Sequence, residues 1–518
     1  MNNTVFLVGA GPGDFKLLTL KGLECVRQAD VIIYDELVNT QFLREAGDDC
    51  ELVYAGKSSG CHTLPQDQIH AFMIEKAKQG KTVVRLKGGD PYVFGRGGEE
   101  AQALRKSGIA FEVVPGVSSA IGGPAYAGIP ITHRDYASSF HVIAGHSRVD
   151  GQHANEPDWD TLAKLDGTLV FLMGVGNLRK ITQYLLDGGK PADTPAALIS
   201  RACGPNQRVV TTTLVHAYDA ATENDIGPPA IIVIGGVVSL REELNFFERK
   251  PLFGKSVILT RAKGQNDRMS QKISDLGGEA IEAPSIKIVT IPGNRALELE
   301  IARLNLYKFL IFTSQNSVDI FFAKLYEMGL DARSLAGTRI AAVGSQTALT
   351  LSKKGIRADL VPRRHTAAGL VQEISLLFAP MDKVLIPRAV NAPFAFSDAL
   401  NADITEVGVY ETIPDHSSRE LALSRLREGR ADYLTFTSPS CVSGFVAQIG
   451  AENLPLLDPV RIIAIGPVTG LAVQSHGLRL HRQAAHHSSD AIIECIKEDA
   501  HCQDAPEDSA EPTQSEAL

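Results

Sequence analysis

The chain has 518 residues, 44% hydrophobic and 21% charged, a mixture typical of soluble proteins and too long for one core, so two to four domains are expected. Its net charge is −9, yet residues 498–518 hold seven carboxylates without a Lys or Arg and leave only −2 to the rest. That distribution excludes the basic footprint of a nucleic-acid binder and predicts a disordered acidic tail, while the longest apolar run, 230–238, is broken by Gly235 and Gly236 and falls short of a membrane span.

From the start, MNNTVFLVGAGPGD enters a strand at once, with no basic leader and no cleavage site, and the seven cysteines include no C-x-x-C. Both features predict a reducing, cytoplasmic setting with neither a disulfide frame nor a zinc site. Ten β-branched runs then alternate with helical patterns: TVFLV, VIIY, ELVY, TVVRL, FEVV, FHVIA, TLVFL, AALI, VVTTT and AIIVI. This rhythm is α/β. Leu20, Leu23 and Val26 recur every three residues and predict a short amphipathic helix after the first glycine turn. The pattern restarts near Val114-Pro115-Gly116, and FFERKPLFGK, 246–255, reads as a linker.

Beyond it lies an internal duplication. FTSQNSV at 312–318 is answered by FTSPSCV at 436–442, and VGSQTA at 343–348 by IGPVTG at 465–470. Gly344 to Gly355 and Gly466 to Gly477 are both eleven residues, and eleven more reach Thr366 and Ser488. Two lobes of one build are expected, with a shared cleft at their strand ends.

Three segments carry the chemistry of the first half. The turn Gly9-Ala10-Gly11-Pro12-Gly13-Asp14 lets backbone approach a ligand, and Asp35 follows at the end of the second strand. A dinucleotide site is disfavoured, because the last glycine of G-x-G-x-x-G is missing and Pro12 lacks the N–H that pyrophosphate needs. RLKGGDPYVFGRGGEE, 85–100, makes a tight turn that aims a carboxylate, and VVPGVSSAIGGPAYAGIPITHRDY, 113–136, combines a hydroxyl pair with small residues.

Together with YDELV, YAGK and FLMGVGNL, these segments resemble the tetrapyrrole methylases, specifically uroporphyrinogen-III C-methyltransferase, over about 4–245. Residues 256–496, with IPRA, VYET, FTSPS and IGP, resemble uroporphyrinogen-III synthase. The resemblance implies a two-lobed methylase fold, 1–115 and 116–245, then the linker. It also implies a synthase of two parallel α/β lobes joined by strands: 256–285 plus 412–497, and 286–411, followed by the tail from 498.

For the first half it implies two methyl transfers from S-adenosylmethionine to uroporphyrinogen III, giving precorrin-2. Carried over by motif, cofactor contacts fall on Pro12, Gly88, Gly89, Asp90, Val93, Ser118, Ser119, Met173, Ala202 and Ala230. At Ala202 this chain reads RACGPNQR where many relatives have glycine. Asp35 is implied as proton acceptor and Lys57 as donor. The substrate's eight carboxylates call for cations, with Arg85, Lys87, Arg96 and Arg134 as candidates beside His133, Arg201 and Arg208. For the second half it implies ring closure of hydroxymethylbilane with inversion of the last ring. Tyr410 assists departure of the hydroxyl, Arg261, Ser314, Thr347, Arg388, Ser438 and Thr469 are expected to bind the substrate, and Lys263 adds charge near the cleft. For the hydroxyls an ordinary helix N-cap is the alternative. No metal is expected, the partners are small tetrapyrroles, and methyltransferases of this kind are usually homodimers. Two other readings stand beside this one: a front half acting on a later precorrin, and a rear half that only senses a tetrapyrrole.

Overall fold

The computed structural model describes residues 4–504 except 57–64, 146–156, 365, 378 and 393. Lys57 and residues 505–518 therefore lie outside the described residues. The chain forms two compact units: residues up to Gly254 with Leu276–Glu279, and Lys255–Asp275 with those from Ala280 onward.

All ten runs of the first half become strands. β1 (Thr4–Gly9), β2 (Val31–Tyr34), β3 (Glu51–Tyr54), β4 (Val83–Lys87) and β5 (Ala110–Val114) form a parallel sheet in the order β3-β2-β4-β1-β5. β4 lies in the middle and is buried at all five residues, as a parallel strand covered on both faces must be. Its Arg85 and Lys87 are therefore taken into the interior and require partners there. The second sheet holds β6 (Phe140–Ala144), β7 (Thr168–Leu172), β8 (Pro195–Ser200), β9 (Arg208–Thr213) and β10 (Ala230–Ile234) in the order β6-β7-β10-β8-β9. Only β6 and β7 run parallel there.

The second unit has two more five-stranded sheets. One contains β11 (Ser256–Leu259), β12 (Glu279–Glu282), and, far along the chain, β18 (Tyr433–Phe436), β19 (Arg461–Ala464) and β20 (Leu480–Gln483), in the order β12-β11-β18-β19-β20. The other contains β13 (Ile286–Thr290), β14 (Phe309–Phe312), β15 (Arg339–Ala342), β16 (Lys383–Ala389) and β17 (Asp403–Pro414), in the order β13-β17-β16-β14-β15. Its pairings are parallel except β13 with β17. The duplicated motifs sit at matching places: β14 and β18 each lead through Thr-Ser into a helix, Gln315–Glu327 and Pro439–Ile449. β15 and β19 each lead through glycine into another, Ser345–Lys353 and Pro467–Ser475.

Three expectations are corrected. The helix Leu20–Gln28 buries Gly22, Cys25 and Val26, while Leu20 is 82% exposed in its first turn. The stretch 246–255 is no free linker: Phe247 and Leu252 are buried, and Phe247 packs on Tyr126 and Phe253. The acidic segment starts as ordered helix, because Ser489–Asp504 is helical and carries Asp499 inward. Three donors reach that carboxylate: Tyr433, Arg461 and Arg482.

Candidate functional sites

The carboxyl ends of β1, β2, β4 and β5 meet at one edge of the first sheet, where open parallel sheets hold ligands. There the chain's backbones nearly touch. A Cβ added to Gly9 would lie 2.6 Å from the Gly116 nitrogen and 2.7 Å from the Gly89 oxygen. Gly11 and Gly89 exchange N–H···O bonds of 3.1 and 2.7 Å, and Gly89 holds φ +68°. Asp90 is fully engaged, accepting from the Tyr92 nitrogen (2.8 Å) and the Gly116 nitrogen (3.0 Å).

The second lobe's loops reach the same place. Pro12 lies against Gly122, the Ala202 oxygen is 3.1 Å from where a Cβ of Gly13 would stand, and the Ala202 Cβ lies equally close to where one of Gly123 would stand. Asn39 donates to the Gly13 oxygen (2.8 Å), and the Tyr126 hydroxyl donates to Asp14 (2.7 Å). Burial, then that hydrogen bond, raise the Tyr126 pKa. Ser118 caps the helix Ser119–Tyr126. Among the described residues six non-glycines have positive φ, and five of them stand on these loops: Phe94, Arg96, Met173, Arg201 and Cys203. Such conformations cost about 1–3 kcal/mol each and gather at binding sites. Val93 and Met173 remain exposed, and Ala230 begins β10.

Beside this edge is a cavity of about 410 Å³ lined by Asp35, Glu36, Leu37, Gln66, Arg85 and Arg96 among others. Arg85 donates from Nη2 to Asp35 (3.1 Å) and from Nε to Glu100 (3.3 Å). Glu100 is wholly buried, and the same oxygen accepts from Lys87 (2.8 Å) and Gln66 (3.0 Å). Lys87 is therefore bound up beneath the site, and burial, then the neighbouring Arg85, lower its pKa. Arg96 is exposed and paired with Glu99, Arg134 and Arg201 are exposed, His133 lies beside Asp135, and Arg208 donates to the Asn224 oxygen. Glu100, Gln66, Asn39 and Tyr126 had not been singled out. For Glu100 a signal existed, since it shares the buried face of the helix Gly97–Lys106 with Ala101 and Leu104.

In the second unit Tyr410 lies on β17 and is 6% exposed. Its hydroxyl is 3.0 Å from the Ser314 hydroxyl, which caps the helix Gln315–Glu327. Ser438 caps the twin helix and meets Ser440 and Cys441. Thr347 and Thr469 are buried in the first turns of their helices. Arg388 is buried and donates to Glu406 and to the Ala392 oxygen (2.6 Å), so its charge is answered within the lobe. Arg261 differs: its Nε donates to Gln265 (2.9 Å), and Gln265 donates across to Asn316 in the other lobe (2.7 Å). Burial lowers the Arg261 pKa. Lys263 is exposed nearby. Among the described residues no group of three or more His, Cys, Asp or Glu is placed to hold a metal, and no helix is long and apolar enough to cross a membrane.

Residues 4–217 match the family of tetrapyrrole (corrin/porphyrin) methylases and 267–494 that of uroporphyrinogen-III synthase HemD, so the class is a two-module enzyme of tetrapyrrole biosynthesis. The chain belongs to the family of the porphyrin biosynthesis protein HemD of Ruminiclostridium josui, with which it is 39% identical over 482 residues, 92% of this chain and 94% of that protein. Its first part is 52% identical over 235 residues to the uroporphyrinogen-III C-methyltransferase of Priestia megaterium, covering 45% of this chain and 98% of that one. Among solved structures, a Thermus thermophilus uroporphyrin-III C-methyltransferase complexed with S-adenosylhomocysteine is 39% identical, covering 45% of this chain and 92% of that one, with a TM-score of 0.39.

Proposed function

We propose that the first unit methylates uroporphyrinogen III twice from S-adenosylmethionine to give precorrin-2, and that the second closes hydroxymethylbilane to uroporphyrinogen III. The observation that carries this reading is the glycine cradle of Gly9, Gly89 and Gly116 with the Asp35–Arg85 pair beside it. The cradle suits such a donor: backbone comes close, Val93 and Met173 add apolar surface, and both Asp90 oxygens are already engaged.

S-adenosylmethionine, when bound, supplies an electrophilic methyl group. The chain's own residues do the rest. Asp35 accepts the proton that the pyrrole nitrogen releases as its ring carbon is methylated, and Arg85 holds that carboxylate in place. Lys57 serves as the proton donor. Pro12, Gly88, Gly89, Ser118, Ser119, Ala202 and Ala230 line the donor's seat.

In the second unit Arg261 is a largely buried cation whose Nε donates to the neutral amide of Gln265, a natural clasp for a substrate carboxylate. Tyr410 helps the hydroxyl depart: the C–O electron pair leaves with oxygen, the phenol proton makes it water, and the pyrrole supports the methylene cation until ring closure returns a proton. Folding the bilane so that the substituted carbon attacks is the larger task. Module-selective substitutions test the assignment. Asp35→Ala should abolish methylation of uroporphyrinogen III and leave ring closure intact, while Tyr410→Phe should slow closure and leave methylation intact. Loss of both reactions in either variant, or of neither, would contradict it.

A further inference from the structure

Ser314 does more than cap its helix. Tyr410 lies where β17 breaks step with β16: Arg388 pairs with Gly408, but Ala389 pairs with Tyr410, so Val409 is the extra residue of a bulge. In a regular strand neighbours point to opposite faces. Here Val407, Val409 and Tyr410 all enter one buried cluster with Phe312, Val318 and Phe321. The bulge has re-aimed the tyrosine toward the start of the helix Gln315–Glu327. On the far side Thr290 of the antiparallel β13 fixes the same register.

At that helix start the neighbouring hydrogen bonds limit where the Ser314 hydrogen can point. The Ser314 hydroxyl accepts from the Ser317 nitrogen (3.1 Å), and the Ser317 hydroxyl donates to the Ser314 oxygen (2.8 Å). The Ser314 hydrogen then has two directions: Ser317 at 3.3 Å or the Tyr410 oxygen at 3.0 Å. The shorter contact is to the phenol. If Ser314 donates, the Tyr410 hydrogen is released to point away from it, and the phenol becomes the better donor.

We propose that Ser314 is a positioning residue for Tyr410: it fixes the phenol by donating to its oxygen and frees the phenol's own hydrogen for the departing hydroxyl of the bilane. This rests on the reading of Tyr410 given above. The twin of Ser314 offers a comparison, because Ser438 likewise accepts from the third residue of its helix but its hydroxyl meets Ser440 and Cys441 and, among the described residues, no tyrosine.

The test measures initial rates of ring closure of hydroxymethylbilane by the full chain, with the ratio of inverted to uninverted product. Ser314→Ala should slow closure about tenfold and raise the uninverted share, as loss of one aligned hydrogen bond would. Ser314→Asp keeps a good cap but has no hydrogen to donate, so it should fold normally and be equally slow. Ser314→Thr keeps both and should restore the rate. Ser314→Ala/Tyr410→Phe should be no slower than Tyr410→Phe. Thermal melting should fall in Ser314→Ala and Ser438→Ala and stay near the parental value in Ser314→Asp, which separates capping from positioning. Slow closure by Tyr410→Phe with normal closure by Ser314→Asp, or a double variant as slow as the product of the singles, would overturn this inference alone. Normal closure by Tyr410→Phe would overturn it together with the reading of the tyrosine.

Discussion

Asp35 and Gly89 close neighbouring strands of one sheet yet serve different ends, and substitution separates them. Gly89→Val places a β-branched residue at φ +68°, where L side chains are strained, and should abolish S-adenosylhomocysteine binding in calorimetry. Asp35→Ala removes a carboxylate from the cavity wall and should bind it as tightly as the unaltered chain; equal affinity of both variants would reverse these roles. In the second unit Arg261→Met should raise KM for the bilane by about tenfold with little change in kcat, since a clasp for a carboxylate acts before and during reaction alike. A fall in kcat at constant KM would move Arg261 into the chemical step. The glycine turns were legible because close backbone approach demands glycine. The contact of Ser314 with Tyr410 was not, since it joins residues 96 apart through a strand bulge that leaves no mark in the spacing. Nor was the fate of Arg85, Lys87 and Arg388: cations next to a motif read as ligand groups, and only the pairing with Glu100 and Glu406 reveals that they are held inside.

At the level of the element, the β-branched and hydrophobic runs located every strand of the first half because such side chains fit a pleated, at least half-buried surface in parallel and antiparallel sheets alike. Faces and ends were harder. Leu20 fits an apolar stripe but sits in a first turn that faces water, and the buried place is taken by Gly22, where a Cβ would stand 3.2 Å from Val8. The acidic segment misled because composition averages over Asp499, one carboxylate with two arginines waiting in the fold. Burial alone would raise the Asp499 pKa, but the hydrogen bond and charge of Arg461, with Tyr433 and Arg482, bring it below the ordinary carboxylate value. A lowered folded-state pKa adds stability above the unfolded value of about 3.9 that is lost as pH falls through the folded one. Asp499→Asn should therefore lower Tm at neutral pH and flatten the acid limb of the stability curve. The loss should stay under the roughly 3–5 kcal/mol of a fully buried pair, because both arginines keep about a third or more of their surface in water. Unchanged melting from pH 7 to 3 relative to the parent would refute it.

For the whole molecule, the eleven-residue spacings of the second half foretold two like lobes, and the sheets carry them: Ser314 matches Ser438, Gly344 matches Gly466, and Thr366 matches Ser488 as starts of corresponding helices. What repetition could not foretell is their inequality, for one lobe holds the tyrosine and the other presents Arg261. The proposed reactions of the two units are consecutive, the product of one being the substrate of the other. The most direct measurement gives the purified chain hydroxymethylbilane and methyl-labelled S-adenosylmethionine, with no other enzyme, and follows the label into the macrocycle. A doubly methylated product of the inverted isomer is expected; unlabelled or uninverted macrocycle as the sole product would refute consecutive action by the two units.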